Sequence, residues 1–326
     1  MKKIISLCLG SMVLASSISI SSADSLNVSR IAGESRYDTS LYVSKNNFES
    51  SDYLFVASGE VYSDALIGGS LTSQTKSPVI LVKKNNLEQL VTEEAKRLSP
   101  KEIYVLGGKN TISDDVLNRI KNDTKIKTQR IAGHDRIGTA NEVNELRKKL
   151  YKDKLSSNSE ITPIYVNGYN FYDSLYSAPY VGINEPINNN LLSIYLSRPT
   201  IEAGEHKIVW GDINIKDGFY PNEFTTKIDG KNRYETSTII AGYYKENLNI
   251  DVDTIIITSG EDYPDGLSAS SLTGIYKAPI ILTPKKYLDE SVVEYIKSNT
   301  NIKNVIIVGG ENSISKGVEE ELKNLK

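Results

Sequence analysis

The chain has 326 residues, of which 39% are hydrophobic and 24% are charged, and its formal net charge is −3 at pH 7. This composition is typical of a folded, soluble protein and excludes a disordered chain. The slightly negative net charge argues against non-specific electrostatic binding of nucleic acid, so any anionic ligand must be bound by a local group of residues.

The N-terminal 23 residues have the pattern of an export signal. Two lysines precede an apolar run over residues 4–15 and a small-residue stretch that ends at Ala23. Because the apolar run is too short to span a membrane, a signal peptide cleaved before Asp24 is favoured over a transmembrane anchor. The single cysteine, Cys8, lies in this segment, so we expect a secreted mature chain that is stabilised without disulfides.

An opening motif occurs three times in the sequence. RIAGESRY at residues 30–37 returns as RIAGHDRI at 130–137 and, more loosely, as KIDGKNRY at 227–234. A spacing of about one hundred residues indicates whole small modules rather than the turns of a solenoid. The expected modules cover residues 24–124, 125–224 and 225–326.

Module one alternates apolar runs with helical patterns. Residues 53–58 and 78–82 predict buried strands, and a small-residue helical pattern over 63–73 separates them. Residues 87–98 space their apolar side chains at helical intervals, and 103–106 predict a third strand that ends in a glycine pair. Continuous apolar strands indicate a parallel sheet that is covered by helices on both faces.

Module three repeats these elements in the same order. Its strands are predicted at residues 255–260, 278–283 and 305–310. Ser113 and Ser315 follow the third strands of modules one and three and are suited to cap the next helix.

Module two is the divergent copy. Strands are predicted at residues 164–168 and 207–212, but Pro186 and Ile187 run into Asn188–Asn190, which is poor strand material. We expect its fold to persist, while its contribution to binding stays open.

A glycine turn and an aspartate follow the first strand of each module. Ser58 precedes Gly59 and Asp64, and the same pattern returns with Ser259 and Asp265. Because the carboxyl ends of parallel strands form the ligand crevice of such sheets, these serines and aspartates are candidate binding residues. The alternative is that Asp64, Asp265 and their counterpart Asp173 only cap helices.

One arginine recurs just after the glycine of every opening motif, as Arg36, Arg136 and Arg233. A guanidinium can bind phosphate or carboxylate through its planar fork, and it can equally pair with the repeated aspartate of its own module. Tyr37 and Tyr234 follow two of these arginines, and the chain has 20 tyrosines against 5 phenylalanines. Tyrosine rings stack on sugars, although amphipathic packing positions also use them.

Enzymatic motifs are absent from the sequence. His134 and His206 are the only histidines, and neither lies beside a nucleophile motif. No zinc-ligand spacing or phosphate-binding glycine loop occurs. We therefore predict no catalytic residues, no metal site and no cofactor.

Four ordered motifs resemble the cell wall-binding repeat 2 family of Gram-positive surface proteins. They are RIAGESRYDTS, VASGEVYSDAL, SPVILV and IYVLGGKNTIS in module one, and DGKNRYETS, ITSGEDYPDGL, APIILT and IIVGGENSIS in module three. The resemblance covers nearly the whole chain after the signal. It implies an α/β fold of three tandem Rossmann- or toprim-like modules with parallel sheets, packed with pseudo-threefold symmetry.

The resemblance also implies a function and a binding motif. Proteins of this family attach non-covalently to an anionic secondary cell-wall polymer, a phosphate-containing polysaccharide or teichoic-acid-like glycan. The family's Pro-Ile-Leu-Leu motif, implicated in that binding, corresponds to residues that we expect to shape the interface between modules. In this chain they are Pro78, Val79, Ile80, Leu81, Pro279, Ile280, Ile281 and Leu282. Module two departs from the motif, with Pro186-Ile187-Asn188-Asn189 in its place.

The expected function is non-catalytic attachment at the cell surface. No separate effector domain is visible beside the three modules, so attachment is expected to be the whole activity. Two alternatives stay open: an exported hydrolase that uses Asp64, Asp173 or Asp265 on wall glycan, and a structural subunit that assembles with surface-layer proteins.

Overall fold

A computed structural model describes residues 25–65, 67–156, 158–186, 189–202, 207–216 and 225–325. The predicted signal peptide and His206 lie outside these residues. Within the described ranges, none of the helices combines the length and apolar character needed to cross a membrane.

Strands and helices alternate along the whole chain. The first third contains β1 (Asn27–Ile31), α1 (Arg36–Asn47), β2 (Tyr53–Ser58), α2 (Gly68–Thr75), β3 (Val79–Val82), α3 (Gln89–Leu98), β4 (Glu102–Leu106) and α4 (Asp114–Thr124). The middle contains β5 (Thr128–Ile131), α5 (Arg136–Leu150), β6 (Glu160–Asn167), α6 (Tyr172–Ile183), β7 (Asn190–Ser197), β8 (Thr200–Glu202), β9 (Lys207–Trp210) and β10 (Asn214–Lys216). The last third contains β11 (Thr225–Ile228), α7 (Arg233–Glu246), β12 (Thr254–Ser259), α8 (Pro264–Tyr276), β13 (Ile280–Thr283), α9 (Glu290–Ser298), β14 (Asn304–Val308) and α10 (Lys316–Lys323).

These elements form three four-stranded sheets, and all their strand pairs are parallel. Sheet I has the order β3-β2-β4-β5, sheet II β7-β6-β9-β11, and sheet III β13-β12-β14-β1. A short pair, β8 with β10, adds a two-stranded parallel sheet in the middle third. The predicted α/β fold with parallel sheets is confirmed.

Each four-stranded sheet takes one edge strand from an opening motif that belongs, by sequence, to another module. Sheet I ends in β5, sheet II ends in β11, and sheet III ends in β1 from the beginning of the described chain. Arg30 of β1 reinforces this pairing, because its Nη1 donates to the Gly309 carbonyl at 2.7 Å and its Nε lies 2.8 Å from Glu319. The exchange of strands therefore closes the three units into a ring.

Local sequence explains where the helices begin. Ser113 and Ser315 accept backbone hydrogen bonds as N-caps of α4 and α10, as predicted. The three opening helices α1, α5 and α7 are likewise capped by a polar side chain two residues after the motif glycine. These N-caps are Ser35, Asp135 and Asn232.

The helices α2, α6 and α8 pack against one another at the centre of the molecule. Small side chains allow this close approach: Thr72 donates to the Ser270 carbonyl at 3.0 Å, and the hydroxyls of Ser73 and Thr273 are hydrogen-bonded. A Cβ added at Gly274 would come closer than 3.0 Å to the backbone of Ser73. Each sheet contributes one of these helices, so the three units surround a helical centre with pseudo-threefold symmetry.

The second strand of module two lies further along the chain than the sequence predicted. Ile164 of β6 pairs with Ile194, in the register that joins Phe55 to Val79 in sheet I. The counterpart of the Pro-Ile-Leu-Leu motif is therefore 193–196, and its placement at Pro186-Ile187-Asn188-Asn189 was wrong. The physical reason is that β6 and β7 are extended to eight residues each, so that Asn190 opens β7 and bonds across to Thr162 at 3.0 Å.

Candidate functional site

The carboxyl ends of the strands in the three sheets carry the repeated arginines, and we call this surface the carboxyl face. Each arginine is the first residue of an opening helix, and its Nη1 donates to the carbonyl of the glycine that directly follows β2, β6 or β12. The pairs are Arg36 with Gly59, Arg136 with Gly168, and Arg233 with Gly260, each at 2.7 Å. The sequence predicted the repeated arginine, but not this anchor.

The remaining part of each guanidinium lies against an aromatic ring. The guanidinium carbon Cζ of Arg36 lies 5.7 Å from the ring centre of Tyr263. The same distance is 4.7 Å from Arg136 to Tyr169 and 4.2 Å from Arg233 to Tyr172. Among the described residues, no ion pair joins these arginines to the repeated aspartates, so that alternative is wrong. Arg36 instead approaches Asp262 at 3.6 Å.

The repeated aspartates form hydrogen bonds with the turns that follow β4, β9 and β14. Asp64 accepts from the Thr111 hydroxyl and from the Gly108 amide at 3.3 Å, and Asp265 accepts from the Ser313 hydroxyl at 2.6 Å. They are not N-cap residues, because α2, α6 and α8 have no side-chain cap. The alternative that these aspartates cap helices was therefore wrong.

Asp173 is the most deeply buried of the three. It accepts from the Tyr176 hydroxyl, from the Asn170 amide at 2.9 Å and from the Asp212 backbone amide at 3.0 Å. Burial raises the pKa of Asp173 to about 6, although these three hydrogen bonds act in the opposite direction. Burial likewise raises the pKa of Asp265.

Tyr37 and Tyr234 pack against the anchoring glycines. A Cβ added at Gly59 or Gly260 would come closer than 3.0 Å to the ring of the adjacent tyrosine, so only glycine fits at these two turns. Partial burial raises the pKa of both tyrosines. These rings support the backbone beneath the arginines.

Ser58 and Ser259 are buried at the ends of β2 and β12. Their hydroxyl oxygens accept the amides of Glu60 at 3.1 Å and of Glu261 at 3.0 Å. Both serines therefore stabilise the glycine turn that follows them.

The eight residues predicted from the Pro-Ile-Leu-Leu motif are buried along β3 and β13. The amide of Val79 donates to Ser271 of α8 at 2.9 Å, and that of Leu81 donates to Ser40 of α1 at 3.0 Å. The motif thus lies between one sheet and the helices that cover its edge. A polymer on the outer surface does not reach these side chains.

Clefts open at two of the junctions between units. One, of about 480 Å³, lies between the opening motif at Gly33–Arg36 and the turn at Gly310–Ser313, with Asp265 at its wall. The other, of about 310 Å³, lies between the opening motif at 229–233 and Asp212, with Tyr172 and Asp173. An arginine and several carboxylates line each cleft, so neither is uniformly basic.

Sequence reasoning missed an aromatic position at the carboxyl face. Counting two residues back from each repeated aspartate gives Tyr62, Phe171 and Tyr263, so this position is aromatic in all three modules. The structure places Phe171 at the equivalent position, because Phe171 and Tyr263 are both the N-cap residue of the following helix. The constant offset from the aspartate was the signal that could have identified it.

A sequence profile of the family described as Cell wall binding domain 2 (CWB2) matches residues 30–117 and 227–319, which together exceed half of the chain. The chain belongs to this family. The resemblance predicted from the motifs is confirmed, and the two matched ranges contain the first and third opening motifs.

Two curated relatives from Bacillus subtilis match most of this CWB2 chain. The N-acetylmuramoyl-L-alanine amidase LytC is 25% identical over 332 residues, covering 99% of this chain and 62% of the relative. The protein named Amidase enhancer is 26% identical over 303 residues, covering 90% of this chain and 40% of the relative. The chain therefore spans less than two thirds of the length of these relatives.

The solved structures of Cwp8 and Cwp6 from Clostridium difficile share the fold. Cwp8 superposes with a TM-score of 0.71 at 21% identity, and Cwp6 with 0.69 at 20% identity. Each match covers 92% of this chain and about half of the other, 52% and 48% respectively. At this identity the likeness shows a common architecture.

Proposed function

We propose that this chain is a non-catalytic wall-binding protein that attaches non-covalently to an anionic secondary cell-wall polymer. The polymer would be a phosphate-containing polysaccharide or a teichoic-acid-like glycan. Membership of the CWB2 family supports binding to the cell wall. The proposal that the polymer is anionic rests on three arginines, each of which is held in the same way at the carboxyl face.

Because these arginines are already held in place, their guanidinium groups are suited to bind a phosphate. One nitrogen of each guanidinium is used by the glycine carbonyl, which leaves the other donors for a ligand. Because the carbonyl and the ring already restrict the side chain, less conformational entropy is lost when an anion binds. The net charge of the chain is −3, so the attraction depends on this local geometry and not on the overall field.

The contacts of the repeated aspartates favour a binding role over hydrolysis. Glycoside hydrolysis generally needs two carboxyl groups placed on either side of the scissile bond. Asp64 and Asp265 are engaged with the turns after the third strands, and Asp173 is buried. These contacts support a role for the carboxylates in stabilising the turns of the carboxyl face.

The location and the division into modules are parts of the same proposal. Residues 1–23 would direct export, and the mature chain would act at the cell surface. The sequence modules 24–124, 125–224 and 225–326 would each supply one arginine to a shared face, because the exchanged strands join them into one body.

Binding to purified cell walls tests the proposal. The mature chain is expected to cosediment with intact walls, and binding should fall by at least about tenfold after hydrofluoric acid removes phosphate-linked polymers. Replacing Arg36 and Arg233 together by glutamine should reduce binding to a similar extent, and raised salt should weaken binding by the parent.

The matched control removes a positive charge elsewhere. Lys101 is exposed and precedes β4, at the opposite end of sheet I from the carboxyl face. Lys101→Gln should bind walls like the parent. Equal binding to stripped and intact walls would refute the proposed ligand.

A further inference from the structure

Three aromatic rings meet at the middle of the carboxyl face, and we call them the aromatic triad. They are Tyr62, Phe171 and Tyr263, one from each unit. Their ring centres are 5.3 Å apart for Tyr62 and Tyr263, 6.1 Å for Tyr62 and Phe171, and 6.2 Å for Phe171 and Tyr263. This nearly equilateral arrangement lies where the three units converge, and all three side chains are partly exposed.

Each anchored arginine contacts either a ring of this triad or a tyrosine that itself contacts one. Arg36 lies over the Tyr263 ring, and Arg233 lies over Tyr172, whose ring centre is 5.5 Å from that of Phe171. Arg136 lies over Tyr169, whose carbonyl accepts from the Tyr62 hydroxyl at 3.3 Å. Arg36 therefore contacts the triad directly, and Arg136 and Arg233 are each connected to it through one tyrosine.

The chemistry of this cluster selects a particular kind of ligand. Aromatic rings stack on the apolar faces of sugars, tyrosine hydroxyls bond to sugar hydroxyls, and arginine forks bind phosphate. Two carboxylates stand at the same face, with Asp262 at 3.6 Å from Arg36 and Asp212 at 3.2 Å from the Tyr172 hydroxyl. Their repulsion disfavours a dense polyanion and favours a sugar that carries a single phosphate.

We propose that the aromatic triad and the three arginines form one composite site for a phosphate-substituted sugar unit of a glycan. This inference rests on the proposed function and deepens it. Since every unit supplies one ring and one arginine, the site exists only in the closed ring. The chain then binds one such unit at its centre, and not one at each module.

Paired substitutions in the triad test the stacking role. Tyr62→Leu combined with Tyr263→Leu keeps apolar volume but removes two rings, and it should weaken cosedimentation with walls by about tenfold. Tyr62→Phe combined with Tyr263→Phe keeps the rings and should stay within about threefold of the parent. Tyr287→Leu is the control, because this tyrosine is 58% exposed on the loop after β13.

These results separate the inference from the proposed function. If the parent binds walls and the leucine pair binds equally well, the composite site is wrong while wall attachment stands. If the parent does not bind walls at all, the proposed function itself fails. Circular dichroism of each variant checks that it is folded.

A second measurement uses the unchanged chain and does not depend on variants that fold. The sequence has only 5 phenylalanines, so selective labelling gives few ring signals in NMR spectra. Short phosphate-containing oligosaccharides from purified walls should shift the Phe171 signal, assigned with Phe171→Leu, and calorimetry should give one oligosaccharide per chain. An unmoved Phe171 signal, three independent sites, or equal binding of the same oligosaccharides after hydrofluoric acid treatment would overturn the inference.

Discussion

At the scale of single residues, the carboxyl face depends on hydrogen bonds between side chains and the backbone of glycine turns. Arg233 is held by the Gly260 carbonyl, and Tyr234 packs against the same glycine. Asp265 secures the next turn through Ser313. The repeated polar residues therefore have structural partners, and each arginine has guanidinium donors beyond the one that bonds a glycine carbonyl.

The buried carboxyl of Asp173 should make stability depend on pH. Its pKa is about 6 in the folded chain against an ordinary value of 3.8, so the folded state binds the proton more tightly than the unfolded state. The stabilisation from this proton is complete below about pH 4 and is lost as the pH rises to about 6. The free energy of unfolding should fall by up to about 3 kcal/mol across this window.

Asp173→Asn should flatten this part of the profile, because an amide does not titrate. Since its NH2 group cannot accept hydrogen bonds as the carboxylate does, the variant should also be less stable than the parent at every pH. Urea unfolding between pH 4 and pH 7 measures the effect. Asp265 has a raised pKa and acts in the same direction, so the slope should decrease without vanishing. An unchanged slope in the variant would show that Asp173 is not the responsible group.

At the scale of elements, the exchanged edge strand β1 is a structural closure. It covers the edge of β14 with five parallel pairs, from Asn27 with Asn304 to Ile31 with Val308. Without β1, the edge of sheet III would present unpaired backbone groups to solvent and to other chains. Strand β1 therefore stabilises sheet III, whose other strands come from the last third of the chain.

Ser29→Pro should weaken this closure. The Asn27 amide donates to the Lys303 carbonyl at 2.8 Å, and alternate residues of a parallel strand donate to the same neighbour, so Ser29 is the next donor. Proline removes that amide and should lower the free energy of unfolding by about 1–3 kcal/mol. Denaturant unfolding measures the loss.

Ser29→Ala is the matched control, because it keeps the amide and changes only an exposed side chain. It should unfold like the parent. If proline and alanine are equally tolerated, the pairing of β1 with β14 does not contribute to stability.

At the scale of the whole molecule, the units are held together by close packing of the central helices and by a hydrophobic core that draws residues from all three modules. Gly274 of α8 faces the Ser73 backbone, and Gly182 of α6 faces Ser70 with similar closeness. These glycines let three helix backbones converge, which brings the aromatic triad together above them. Packing at the centre therefore determines the geometry of the carboxyl face.

Two glycine-to-alanine variants with opposite expected effects test this packing. Gly274→Ala adds a methyl group where there is no space, and it should lower the free energy of unfolding by about 1–3 kcal/mol. Gly242→Ala lies in α7, where a Cβ meets only the flexible end of Glu246 at 3.9 Å, and it should raise stability by about 0.5–1 kcal/mol. Thermal and denaturant unfolding compare the two, and a harmless Gly274→Ala would argue against tight central packing.

Much of the fold could be predicted from local pattern, because continuous apolar runs such as 53–58 specify a buried parallel strand in any context. The strands of modules one and three, the caps at Ser113 and Ser315, and the recurrence of Arg36, Arg136 and Arg233 all follow from residues close in sequence. The strand Asn190–Ser197 was missed because its apolar residues lie beyond the asparagines at 188–190, outside the expected repeat position, and its register is set by pairing with β6.

The α/β class, the three repeated motifs and the residue types available for binding an anion all follow from the order of the amino acids. The closure of the ring by β1 and the meeting of Tyr62, Phe171 and Tyr263 are visible only in the folded chain. The physical reason is that these features depend on contacts between residues roughly one hundred to three hundred positions apart, whose free energy appears only when the units pack.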